Sequence, residues 1–335
     1  MAIKTILSNY IVTLGSGNVA YGINALNPAT TGSFNTAYGD SALAANTTGT
    51  RNAAFGYQAA QANTTGLNIT AIGYFTLKDN TTGNSNTAVG YNTLPANTTG
   101  GSNIGIGVNT LMSNTVGNHN VAIGLDAMND NVSGSDNTIV GYNSAPLSTT
   151  ASFNTGLGSS MFSVLTSGDS NTAIGRSALS TTTSGSNCTG LGKGAVSTTA
   201  TANNEITLGD GSITALRCNV TTITSLSDKR DKSGIKNLSL GLDYILDIRP
   251  VEFSWNRRDG STFKKGEKDI GFIAQELKAT QDKFKAPYVD SVLETNPDRL
   301  EASYGRLLPI MAQAIIDLNA KIEKLEKNQK LMKTN

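Results

Sequence analysis

Residues 83–100 read G-N-S-N-T-A-V-G-Y-N-T-L-P-A-N-T-T-G, and seventeen positions separate the first glycine from the last. The same spacing runs outward in both directions. Glycine stands at 15, 32, 49, 66, 83, 100, 117, 134, 168 and 185, with Ala151 as the exception. Seven positions further on, a second series is unbroken: Gly22, Gly39, Gly56, Gly73, Gly90, Gly107, Gly124, Gly141, Gly158, Gly175 and Gly192. Eleven units fill residues 15–201 without insertion or deletion. Each approximates G-x-x-N-T-A-(large apolar)-G-Y-x-x-A-L-x-N-T-T, and chance does not align eleven glycines.

Seventeen residues are too few for a helical hairpin but suit one coil of a β-solenoid. In N-T-A-(apolar)-G the residue before the glycine is large (Tyr21, Tyr38, Phe55, Ile72, Val89, Ile106, Ile123, Val140, Leu157, Ile174, Leu191). The one before it is small (Ala20, Ala37, Ala54, Ala71, Ala88, Gly105, Ala122), with Ile139 as the exception. Alternation places these sets on opposite faces of a strand. The expectation is that the large face fills the coil and the small face admits another backbone. Leu26, Leu43, Leu77, Leu94, Leu111 and Leu179 close the coil from the other side. So narrow a coil needs burial from neighbouring coils and neighbouring chains. At about 4.8 Å per coil, eleven coils give a rod of about 50 Å.

The net charge of +1 averages two unlike halves. Residues 1–226 hold 6 Lys/Arg and 8 Asp/Glu, whereas 227–335 hold 20 and 17, and 29 of the 35 glycines fall in the first part. A near-neutral balance provides no basic footprint for nucleic acid. No apolar run reaches the length of a membrane span, so no membrane insertion is expected. One histidine and two cysteines leave no His/Cys metal site, and no cofactor is expected. Cys188 and Cys218 read as buried free thiols. Ser8, Asn9 and Tyr10 interrupt the apolar character of MAIKTILSNYIVTL, a poor signal peptide without a small-residue cleavage site.

Two features repeat with the coils. Asn-Thr-Thr at Asn46, Asn63, Asn80 and Asn97 has the form of a glycosylation acceptor, but asparagine at tight corners reads better as a stacked ladder. Tyr57, Tyr74, Tyr91 and Tyr142 share the position after the invariant glycine. They read either as a structural ladder or as a glycan-binding stripe.

The units N-T-A-V-G-Y (86–91) and N-T-A-I-G-R (171–176) resemble the N-S-x-A-x-G head repeats of trimeric bacterial adhesins, which form β-rolls side by side in a trimer. After Asn203 the period ends, and residues 202–226 read as a few strands finishing the rod, with a turn at Asp210–Gly211.

Then S-D-K-R-D-K-S-G-I (227–235) resembles the opening of the peptidase S74 family, the intramolecular chaperone of phage tailspikes and endosialidases. Its pattern S-D-x-R-x-K-x-x-I is matched by Ser227, Asp228, Arg230, Lys232 and Ile235. I-R-P-V-E-F-S-W (248–255), D-I-G-F-I-A-Q-E-L (269–277) and Y-G-R-L-L-P-I-M-A-Q-A-I (304–315) extend the likeness over about 109 residues. The resemblance implies self-cleavage between Leu226 and Ser227, with Ser227 as nucleophile, Lys232 as its base, and Asp228 and Arg230 in supporting places. A serine is a weak nucleophile until a neighbour takes its proton. A lysine does so only when neutral, which requires desolvation or crowding by cations. Five residues of separation require a turn to bring the two together.

Leu308, Met311, Ile315, Leu318, Ile322, Leu325, Gln329 and Met332 alternate steps of three and four, a heptad seam for a coiled coil. Pro309 falls where a first helical turn tolerates it. The expected fold is mainly β: a trimeric β-solenoid or β-roll rod of eleven 17-residue repeats, then an α+β chaperone domain ending in a coiled-coil helix. The expected divisions are an attachment segment at 1–14, the rod at 15–201, the rod end at 202–226, the chaperone autoprotease at 227–303 and the helix at 304–335.

These readings together point to a homotrimeric viral tail fibre or tailspike for host attachment. Residues 1–14 would meet virion tail or baseplate proteins, and the rod would face a host surface glycan. The chaperone domain would be made in the host cytoplasm and released. A bacterial trimeric surface adhesin is the second reading, but the secretion signal and membrane anchor it needs are not visible in these residues. A glycan-degrading tailspike is the third, although eight scattered acids do not suggest a paired carboxylate site. A membrane-tethered transcription factor also uses this chaperone type, but needs a DNA-binding domain and a membrane helix that this sequence does not show.

Overall fold

The computed structural model describes residues 17–213, 215–217, 227–256, 265–294 and 300–333. The chain forms two compact units, Met1–Asp210 and Gly211–Asn335.

In the first unit each N-T-A-x-G segment is a short strand. The described residues give twelve parallel strands stacked in sequence order, from β1 (Val19–Tyr21) to β12 (Ile206–Leu208). Each residue pairs with the one seventeen positions on, as Ala71 with Ala88 and Ala88 with Gly105. The unit is a β-solenoid of about eleven turns, and β12 stacks on the last of them. The corners use left-handed backbone: in one coil Ser85, Asn92 and Leu94 have φ of 59°, 52° and 52°. Gly90 at φ 133° shows why its series is unbroken, because a Cβ there would lie 1.8 Å from the Gly107 carbonyl oxygen.

The strand faces correct one expectation. The alanines point inward, with Ala54, Ala71 and Ala88 fully buried, while the large set points out. Tyr38 and Leu157 are more than half exposed. The inner volume is already taken: Leu43, Leu77, Leu94 and Leu111 fill it from the facing segment, and two asparagine ladders line it. Little more than a methyl group remains for the strand. Ile139 is buried in this narrow space because its neighbour in the next coil is Gly156.

The first ladder contains all four Asn-Thr-Thr asparagines. Asn63 donates to Asn46 at 3.0 Å, Asn80 to Asn63 at 2.9 Å, and Asn97 to Asn80 at 2.7 Å. All are fully buried, which rules out glycan attachment in the folded chain. In the second ladder Asn103 Nδ2 donates to the Gly117 carbonyl at 2.8 Å, while Asn103 N–H donates to Asn86 Oδ1 at 2.9 Å. Buried amides are thus paired rung by rung, as burial requires. Cys188 takes a rung of this ladder and is a buried free thiol; Cys218 lies outside the described residues.

The second unit is α+β. Helix α1 (Leu242–Asp247) precedes the antiparallel pair β13 (Val251–Ser254) and β14 (Lys268–Gly271). Helix α2 (Ala274–Lys283) leads to a second small pair, β15 (Val292–Leu293) and β16 (Glu301–Ala302), and the long helix α3 (Leu308–Lys333) follows. Its core joins Leu240, Tyr244, Leu277, Val289, Val292, Leu307 and Ile310. No helix among the described residues is long and apolar enough to cross a membrane.

Candidate functional site

The S-D-K-R-D-K segment folds as one 3₁₀ turn, Lys229–Asp231, with Asp228 as its cap. Asp228 Oδ1 accepts the Arg230 N–H at 2.8 Å, and its carbonyl accepts the Asp231 N–H at 3.2 Å. The Arg230 guanidinium lies on the same carboxylate, with Nε 3.1 Å from both oxygens and Nη2 2.6 Å from Oδ2. This contact holds the Asp228 carboxyl below its ordinary range, the Arg230 side chain being the largest cause.

The turn brings Lys232 back to Ser227. Nζ donates to Ser227 Oγ at 2.6 Å and to the Ser227 carbonyl at 3.4 Å. Proton transfer between the two needs no further approach. All residues from Ser227 to Ile235 are exposed, so the single chain gives this pair no dry surround. Leu226, the expected residue before the cut, lies outside the described residues.

Helix α3 is pinned to its unit on one side. Ile310 and Ala314 are buried, and Asp317 Oδ2 accepts the Leu242 N–H at 3.0 Å, capping α1. The heptad positions lie elsewhere: Leu308, Met311, Ile315, Leu318, Ile322, Leu325 and Met332 are all exposed. A 26-residue helix, about 39 Å long, therefore presents an apolar seam with no partner among the described residues.

On the solenoid, Tyr57, Tyr74 and Tyr91 form one exposed ladder. Their centroids are 5.3 Å apart at both steps, with interplanar angles of 18° and 6°. Phe75 joins them, 4.0 Å from Tyr74. Phe75 takes the position held by Gln58 and Asn92 in the adjacent coils, so the repeat does not single it out; only its place directly after Tyr74 does. Tyr142 stands apart, separated by the coils of Val108 and Leu125. The ladder rings stack on one another, and Gln58 Nε2 donates to the Tyr57 hydroxyl at 3.2 Å. Among the described residues no cluster of His, Cys, Asp and Glu has the form of a metal site.

Residues 227–285 match the family model of Peptidase S74, described as the chaperone of endosialidase. The chain therefore joins a chaperone-of-endosialidase domain to a β-solenoid of about eleven turns. Comparisons with curated proteins and with solved structures found no match.

Proposed function

We propose that this chain is a homotrimeric viral fibre or spike protein whose C-terminal domain assembles three copies and then cuts itself off between Leu226 and Ser227. The observation that supports the cut most strongly is the 2.6 Å contact between Lys232 Nζ and Ser227 Oγ inside the matched domain. Neutral Lys232 takes the hydroxyl proton as Ser227 Oγ attacks the Leu226 carbonyl carbon. The same proton passes to the Ser227 nitrogen, the C–N bond breaks, and Leu226 is left esterified to Ser227 Oγ. Water then attacks the ester, releasing one chain with a new carboxylate and another with a new amine and the restored serine hydroxyl. Assembly provides what the single chain lacks, because burying the exposed turn favours the neutral lysine.

Two exposed apolar tracts support self-assembly. One is the α3 seam; the other is the outward row from Tyr21 to Leu208, with one large apolar side chain on every strand, exposed except at half-buried Val89, Ile123 and Val140. A parallel copy in register meets this row with the same row, and no charged residue interrupts it. Attachment of residues 1–14 to a virion tail or baseplate, presentation of the rod to a host glycan, and release of the chaperone complete the reading. The family match over residues 227–285 favours it over an adhesin.

The test is denaturing electrophoresis with intact mass. Ser227→Ala and Lys232→Ala should each give a single 34.9 kDa chain, while the wild type gives two. A wild type that assembles and stays whole refutes the cut and leaves assembly standing.

A further inference from the structure

We propose that Asp228 and Arg230 form a positioning clamp for the cut: their pairing closes the turn that returns Lys232 to Ser227, and it occupies the Asp228 carboxylate. This inference rests on the autocleavage reading above.

Five residues of extended chain span about 17 Å, yet the two reacting side chains meet at 2.6 Å. A single 3₁₀ turn is too short to persist on its own propensity. Asp228 anchors it through its carbonyl, through the Arg230 N–H and through the Arg230 guanidinium. The planar fork of arginine engages both carboxylate oxygens, a geometry that lysine does not reproduce. The pair is exposed, at 40 % for Asp228 and 88 % for Arg230, so its role is to orient and not to stabilise the domain.

The second effect concerns charge. A carboxylate beside a lysine favours the ammonium, the form that cannot act as a base. On this turn the charged neighbours of Lys232 are Asp228, Lys229, Arg230 and Asp231. Among the described residues Lys232 makes no ion pair, and the Asp228 carboxylate is turned onto Arg230. Removing the guanidinium frees that carboxylate, whereas removing both charges does not.

The test follows the loss of intact full-length chain after refolding, from pH 6 to 10, with assembly checked by sedimentation. Arg230→Ala should slow the first-order cut by roughly 10- to 100-fold and move its rise with pH to higher pH. Asp228→Asn combined with Arg230→Ala should remain slow but recover the wild-type pH profile. Arg230→Lys keeps the charge, provides a reading if the alanine variant fails to assemble, and should still be slow. Wild-type rates in assembled Arg230→Lys and Arg230→Ala overturn the clamp. Slowing with an unmoved pH profile overturns its charge role. A wild type that never cuts overturns the underlying reading, and the clamp with it.

Discussion

Ala151 places a methyl group where the six preceding asparagine rungs put an amide oxygen, and the residue three before it is Ser148. A Cβ on Gly83 would sit 2.5 Å from Asn80 Oδ1, and one on Gly134 would sit 2.4 Å from Asn131 Oδ1. The single break in the glycine series and the end of the first ladder are thus one steric event. Asn131 donates to Asn114 at 2.7 Å, but its own buried Oδ1 accepts nothing among the described residues.

A double-mutant cycle tests this coupling. Ser148→Asn alone should destabilise the solenoid, and adding Ala151→Gly should recover the loss. The coupling should be about 1–3 kcal/mol, read from chemical denaturation. Additive effects would show the two exceptions to be independent.

The direction of the strand faces predicts an asymmetry between neighbouring positions. Ala88→Leu overfills the coil and should cost about 1–3 kcal/mol in thermal or denaturant unfolding. Ile72→Ser on the outer row should leave coil stability within about 0.5 kcal/mol while loosening the assembly seen in sedimentation. If Ile72→Ser proves the more damaging to folding, the assignment of faces is wrong.

Asp317 makes the second unit sensitive to acid. Its carboxyl is held below its ordinary value of 3.8, first by the Leu242 N–H and then by Gln313. A depressed folded value means that the contribution is complete above 3.8 and is lost as pH falls through the folded value. Asp317→Asn should therefore be less stable than wild type at neutral pH, with the difference vanishing below the carboxylate range. Gly241→Ala should destabilise the same contact at either pH, since its Cβ would meet Asp317 Oδ2 at 1.9 Å. Unfolding curves at pH 7 and pH 2.5 check both, and a difference for Asp317→Asn that persists at the lower pH contradicts the assignment.

The exposed α3 seam predicts that Ile315→Asp abolishes trimers without unfolding the domain. Ile315 is 68 % exposed, and helix content by circular dichroism should fall only where the coiled coil is lost. Sedimentation equilibrium reads the mass directly. A variant that remains trimeric would place the interface elsewhere.

The repeat was legible because two glycine series must recur wherever one backbone lies against another. The strands fell where N-T-A-x-G put them, and the heptad marked the last helix. Alternation identifies two faces but not which one looks inward. That choice depends on the volume left after Leu94 and the Asn80–Asn97 ladder are in place, which no single segment reveals. The pairing of Ser227 with Lys232 was an expectation from the family resemblance of S-D-x-R-x-K, and their 2.6 Å contact is made across a turn capped by Asp228. The cap of α1 by Asp317 joins residues 75 positions apart, and nothing local announces it.

The most direct test of the central claim is the end group and mass of the smaller product from purified, assembled wild-type chain. Self-cleavage at the Leu226–Ser227 bond gives a fragment whose first residue is Ser227, with a free amine and an unmodified hydroxyl, alongside a partner ending in Leu226. An uncut chain, or a fragment beginning at any other residue, contradicts it.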